Sequence, residues 1–300
     1  MENNKQSTLS SALQGHFAVL LANVIFGLGV PVSKLLLDEW VTPMCYIVTR
    51  SIGAAVIFWA IQCFLPREKV ERKDLWVIIV GGVLGFAVSQ TLTAWALYYT
   101  SPVYFAILAS LPPVAVLLLA LVLMMERLTW AKLVGVLAAI GGALLLVLPG
   151  SEIKMGSNDS LGIVLAVLAV LTWAVYVVIT RKVSVKYSAV TQMKWMFLVS
   201  AIVTLPIMMH EDAAQKLYSA AWAWSGVWEM AFIVVCATVL GYFMIPWALR
   251  RISATTMSVY TNLQPVVAMT VAIMLGQGEF SWVLVASCAL VLAGGWLVTK

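Results

Sequence analysis

The sequence is poor in charge. Only 10% of its 300 residues are Asp, Glu, Lys or Arg, against about 25% in an ordinary soluble domain. That excludes a chain with water over most of its surface. Histidine is rarer still. His16 and His210 are the two in the chain, far apart and each at the edge of an apolar run. There is no HExxH and no glycine-rich phosphate loop, so no enzyme, metal or cofactor is expected. The four cysteines, Cys45, Cys63, Cys236 and Cys288, all sit inside apolar runs without metal-type spacing. They read as small core residues rather than as disulfide partners or metal ligands. The net charge is +5, but it forms no basic stripe suited to phosphate, so nucleic acid is not an expected partner.

What the chain has instead is apolar length. Hydrophobic residues make up 63% of it, with 13 tryptophans and 14 methionines. The apolar runs are long and do not alternate, which predicts helices in a lipid bilayer. Ten segments can be cut, near 16–37, 43–64, 75–97, 102–124, 130–148, 161–181, 190–209, 227–248, 254–275 and 281–299. Each is long enough for a bilayer core of about 30 Å. The cuts fall at Asp38-Glu39, at Pro66 to Asp74, at Glu126-Arg127 and in the Gly150–Ser160 loop. The polar N-terminal dozen residues read as a tail without fixed structure. The first apolar run is too long for a signal-peptide core and reads as a retained helix.

One stretch occurs twice. Moved forward by 152 positions, Trp95–Leu148 lies without a gap on Trp247–Lys300, with 12 identities over 54 positions. Composition alone would give ~5 in a chain this apolar. Trp95 falls on Trp247, Trp130 on Trp282 and Pro113 on Pro265. The loop charges then set the orientation. With the N-terminus inside, thirteen basic residues fall on the inner side. Among them are Arg67, Lys69, Arg72, Lys73, Arg181, Lys182 and Lys186, with Lys154 and Lys216 outside. Both termini are therefore expected in the cytoplasm. Five helices per half is an odd number, so the second half crosses in the opposite sense. The expected fold is an all-α integral membrane protein of ten transmembrane helices, built as two inverted-topology five-helix repeats. A cytoplasmic tail over 1–15 precedes a first repeat over 16–149. An external linker over 150–160 leads to a second repeat over 161–300.

Several motifs resemble the drug/metabolite transporter superfamily, specifically its EamA-type ten-helix exporters. Phe26-Gly27 through Pro31 to Lys34 resembles the family's first helix, and Arg50 the arginine of its second. Ala94–Ser101, Leu111–Val114, Glu126–Thr129 and Gly141-Gly142 resemble later elements, echoed by Pro265, Glu279–Ser281 and Gly294-Gly295. Glu126 and Glu279 stand one position out of register in the 152 offset. The resemblance implies secondary transport by alternating access. Small organic solutes, amino acids or related metabolites, would leave a bacterial cytoplasm across the inner membrane. A nucleotide- or lipid-linked sugar transporter of the same superfamily is the alternative. A non-transporting membrane scaffold or receptor is the alternative from another class.

Candidate site residues follow from depth. Pro113 and Pro265 each lie 11 residues into a segment, counted from opposite faces, so both are roughly 16 Å deep. With Pro112 they read as hinges that free backbone carbonyls at the midplane, or as plain kinks. Asn23, Gln90, Ser110, Asn262 and Gln264 are the polar candidates for binding substrate. Asn and Gln are the better ones, since a lone hydroxyl in a membrane helix is usually helix glue. Trp95, Trp173, Tyr176, Tyr242 and Tyr260 are suited to walling an organic solute, and equally to packing or an interfacial belt. Arg50 and Lys194 are the basic residues well inside apolar runs. Snorkelling to a nearby surface accounts for them, and an anion anchor or gate is the alternative. No acidic residue lies near the midplane, which favours uniport or coupling through a carboxylate at the membrane edge. Small residues on the fifth segment (Gly135, Ala139, Gly142) and the tenth (Ala286, Ala293, Gly294) suit close packing within the chain. A homodimer through those two helices is the second reading, behind packing within the chain.

Overall fold

A computed structural model describes residues 2–122, 129–145, 156–209, 215–219, 223–249, 251, 260 and 263–298. Every regular element among them is helical. In order these are α1 (Glu2–Glu39), α2 (Pro43–Cys63), α3 (Arg72–Gly81), α4 (Ser89–Tyr99), α5 (Pro102–Leu108), α6 (Pro112–Val122) and α7 (Trp130–Leu145). They continue with α8 (Asp159–Lys186), α9 (Ala189–Met208), the single turn α10 (Lys216–Ser219), α11 (Trp224–Ala231), α12 (Gly241–Leu249), α13 (Leu263–Met274) and α14 (Trp282–Val298). Among the described residues, seven helical spans are long and apolar enough to cross a bilayer. Three further apolar helices, in α7, α13 and α14, are shorter. Every apolar segment cut from the sequence is mainly helical where it is described, the fourth with an internal break. The polar N-terminal dozen is helical too: α1 runs unbroken from Glu2. The acidic turn at Glu126 and the linker through Met155 lie outside the described residues.

Local chemistry explains the helix starts. Thr42, Ser101, Asn158 and Ser188 each cap a helix, their side-chain oxygens accepting a backbone N–H from within its first turn. Pro43 and Pro102 follow two of these caps at the position where a missing N–H costs nothing. The fourth segment is not one kinked helix, as its length predicts. It breaks at Ala109–Leu111 between α5 and α6. Pro112 and Pro113 together withdraw two backbone donors, more than a continuous helix can lose. The carbonyl of Leu108 is not left free, because it accepts from Leu111 N at 3.0 Å.

α3 and α4 are one rod joined by a π-helical stretch, Gly82–Val88, and α11 and α12 are joined likewise by Phe232–Leu240. Shifted by 152, the first stretch falls on 234–240, inside the second. A π stretch leaves carbonyls poorly placed for the ladder, and side chains of a neighbouring helix or of the stretch itself take them up. Ser200 on α9 donates to Phe86 O at 2.9 Å, and Thr238 to Ile233 O at 2.8 Å.

The bundle buries several polar side chains within its apolar core and exposes large apolar ones. Asn23, Ser200 and Thr238 are fully buried, whereas Val56, Leu137, Ile202 and Trp282 are more than half exposed. That arrangement suits lipid as solvent. α7 packs along α14 within one chain, which is where the small-residue faces go. A Cβ on Gly142 would meet Leu290 Cβ and Ser287 O at 2.9 Å.

Candidate functional site

A cavity of about 180 Å³ lies where helices of the first 150 residues meet those of the last 150. Its walls come from α1 (Phe26, Ser33), α2 (Tyr46, Arg50), α4 (Gln90, Thr93), α5 (Phe105), the second π stretch (Ile233, Ala237) and α13 (Gln264). Gly27 sets the crossing that places Gln264. A Cβ there would stand 2.9 Å from the Gln264 carbonyl and 2.8 Å from Val267 Cβ, so only glycine lets α1 lie so close to α13.

Arg50 does not snorkel to a surface. It is seven residues into α2 and turns inward, donating from Nε to Thr238 Oγ1 at 2.8 Å and from Nη1 to Gln90 Oε1 at 2.9 Å. Three elements are tied together by that one side chain. Across the cavity, Gln264 Nε2 donates to Asn23 Oδ1 at 2.6 Å, and Asn23 Nδ2 donates to Val19 O at 2.7 Å. Ser33 and Tyr46 share a hydroxyl hydrogen bond of 2.8 Å. Arg50, Gln90 and Gln264 thus meet at one cavity, with Asn23 directly behind Gln264.

The other sequence-predicted residues sit elsewhere. Trp173, Tyr176 and Tyr242 gather around Phe86 and Phe197, with ring centroids 4.7 to 6.1 Å apart. Tyr242 also meets Phe26 edge-on, so this aromatic cluster backs the cavity wall. Trp95 stacks on Tyr99 near the end of α4. Ser110 turns back on its own chain, donating to Ile107 O. Tyr260 is paired with His16 at 3.0 Å. Lys194 donates to Gln62 Oε1 at 3.0 Å beneath the Trp59 ring, at the basic end of the bundle. Pro112 and Pro113 are half-buried at the α5–α6 break, and Pro265 is buried in the first turn of the described part of α13. Asn262 lies outside the described residues. Sequence reading missed Thr238, Ser33 and Tyr46. A lone threonine in an apolar run gives no sign that an arginine 188 positions away will find it.

Contacts between the two halves close both ends of the bundle. At the basic end, Lys186 pairs with Asp74 at 2.7 Å and with Glu71, Tyr187 donates to Asp74 at 2.9 Å, and Ser188 donates to Glu68. Hydrogen bonds from Lys186 and then Lys73 hold the Glu71 carboxyl below the usual carboxylate range. A depressed carboxylate contributes above its ordinary value and loses that contribution only as the pH falls through the lowered one. This contact therefore persists through neutral pH. At the opposite end Thr42 N donates to Gln215 Oε1, Leu217 N donates to Trp40 O, and Thr49 pairs with Tyr218.

The comparisons with known proteins point one way. The sequence pattern of the EamA-like transporter family matches residues 13–148 and again 160–300. The chain is 27% identical over 227 residues to the uncharacterized transporter YyaM of Bacillus subtilis, covering 74% of this chain and 73% of that one. It is 25% identical over 287 residues to a probable terminal-alkyne amino-acid exporter of Streptantibioticus cattleyicolor, covering 94% and 89%. The inner membrane transporter YhbE of Escherichia coli is 25% identical over 72% of this chain. A solved crystal structure shares the fold over 97% of this chain and 98% of its own, with TM-score 0.64 at 18% identity. A multi-pass helical bundle around a partly polar cavity, matched twice by one family pattern, leaves no ambiguity of class: the chain is a membrane transporter and belongs to the EamA-like transporter family.

Proposed function

We propose that the chain is a secondary transporter that exports small organic solutes, amino acids or related metabolites first among them, across the inner membrane by alternating access. One observation carries the reading. The cavity is lined by polar side chains from both halves, Arg50 and Gln90 from the first and Gln264 from the second. A solute held there would touch both halves at once, which is what two exchanging repeats require. The ten apolar segments act as two five-helix repeats of inverted topology, with both termini cytoplasmic. The 152-residue duplication, the loop charge bias and the two π stretches at equivalent places support this arrangement. The contacts at the two ends of the bundle are then gates that open in turn. The printed name of the Streptantibioticus relative, an amino-acid exporter, supports the solute class. A cavity of about 180 Å³ is small beside the ~300–1,000 Å³ of drug-sized sites and favours a small solute over a nucleotide-linked sugar.

The test is counterflow in proteoliposomes with a panel of labelled amino acids. A carrier gives saturable uptake stimulated by the same solute on the other side, and a scaffold or receptor gives none. No carboxylate lines the cavity among the described residues, so an imposed pH gradient should change accumulation little. Glu229 on α11 keeps one carboxylate oxygen buried without a hydrogen-bond partner. Proton-driven accumulation that disappears in Glu229→Gln would overturn the uniport reading and place coupling at that residue.

A further inference from the structure

We propose that Arg50 is the anchor for a carboxylate of the transported solute, so that the carried class is small organic acids, amino acids included. This rests on the transport reading above and adds the residue and the chemical group it selects.

The first observation is an uncompensated charge. Among the described residues, Lys34 is paired with Asp38 at 2.8 Å, and Lys186 with Asp74 and Glu71. Among the described residues, Arg50 reaches the cavity with neutral partners alone, the Thr238 hydroxyl, the Gln90 amide oxygen and the nearby Tyr242 hydroxyl. These orient the guanidinium without cancelling its charge. An ionised side chain at this depth in a bilayer protein is expensive unless it faces a wet cavity or meets an anion.

The second observation is the free part of the fork. A guanidinium carries five N–H donors, and the bonds to Thr238 and Gln90 together with the Tyr242 hydroxyl leave two. A planar fork with two donors to spare matches a carboxylate in bidentate fashion, where a lysine would offer only a point charge. Gln90 spends its oxygen on Arg50 and keeps its amide nitrogen for a second acceptor, so the pair presents donors side by side.

The third observation is the rest of the lining. Ser33, Tyr46, Thr93 and Gln264 are neutral, and Phe26, Phe105 and Ile233 are apolar. The cavity therefore offers a carboxylate one cation, and offers an ammonium only neutral oxygens. Selection falls on the acid end of the solute, and the apolar wall receives its side chain.

The experiment uses the whole protein in proteoliposomes. Alanine, leucine and phenylalanine, their amides, their decarboxylated amines and UMP compete for counterflow of the labelled parent amino acids. The acids should compete at least tenfold better than the amides and amines, and UMP should not compete. Arg50→Gln should lose that preference, and Arg50→Lys should keep part of it, since the charge remains without the fork. Melting temperatures of both variants in detergent show whether they fold. The parent's own acid-to-amide ratio needs no variant. Amides or amines carried as well as the acids overturn the anchor while leaving transport standing, and so does a folded Arg50→Gln that keeps the acid preference. Competition by UMP above the amino acids makes the anion a phosphate and overturns the carboxylate. No saturable flux of any probe overturns the transport reading itself.

Discussion

Gly294→Val should abolish the stable protein, whereas Gly295→Val, one residue further along the same helix, should leave its melting temperature near that of the parent. α14 crosses α7 at backbone distance. A Cβ on Gly294 would stand 2.4 Å from Gly135 O, 2.6 Å from Ala139 N and 2.8 Å from Ala139 Cβ. Two of those atoms are backbone, which has no rotamer to move into. The helices must part, and in lipid there is little hydrophobic drive to hold them together once close packing is lost. Overpacking a core typically costs about 1–3 kcal/mol even where side chains can yield. Gly295 has nothing within 4 Å of the same position. Thermal unfolding in detergent, followed by size exclusion, checks the pair. Equal behaviour of the two variants would mean that α7 and α14 do not cross as described.

Asn23 and Gln264 should separate stability from transport. Asn23 is fully buried and takes the Gln264 amide proton at 2.6 Å. Gln264→Leu strands a buried acceptor, at a cost of about 1–3 kcal/mol. Asn23→Leu costs less, because Gln264 keeps the cavity for its hydrogen bonds. The double variant Asn23→Leu/Gln264→Leu removes both polar partners and should recover much of the lost stability. Transport should not recover with it. A hydrogen bond to solute worth about 1 kcal/mol corresponds to a roughly fivefold change in apparent affinity. Melting temperature and counterflow affinity, measured on all three variants, check this. A double variant that transports like the parent would remove Gln264 from the solute's path. A role in binding solute alone would make truncation of Gln264 cost affinity and little else. The partner at Asn23, 241 positions away, adds the cost in stability.

That example marks the boundary of what sequence makes legible. Helix positions follow from apolar length and cap chemistry, both local, so Thr42, Ser101 and Ser188 announce their helices directly. Class follows from composition. The break at Ala109–Leu111 is signalled by Pro112-Pro113, though depth could not say whether they kink the helix or end it. The direction in which Arg50 points is not legible at all. Its sequence depth is compatible with snorkelling, and only the arrival of Thr238 and Gln90 on other helices turns it inward. The aromatics divide the same way. Trp173, Tyr176 and Tyr242 reach the cavity's back wall, while Trp95 stacks on Tyr99 instead. The π stretches leave no pattern in hydropathy, because one register shift changes no residue type. The small faces of α7 and α14 were readable as packing surfaces, but their partner was not.

The account stands or falls on whether the cavity is reached from both sides of the membrane. Thr93 lines it, and Ser157 is exposed in the linker. In a chain with its four cysteines replaced, Thr93→Cys should react with a membrane-impermeant maleimide added to either side, and a transported solute should slow both reactions. Ser157→Cys should react from outside the cell alone. Labelling of Thr93→Cys from one side under every condition, or of Ser157→Cys from the cytoplasmic side, would contradict alternating access through this cavity between two inverted halves.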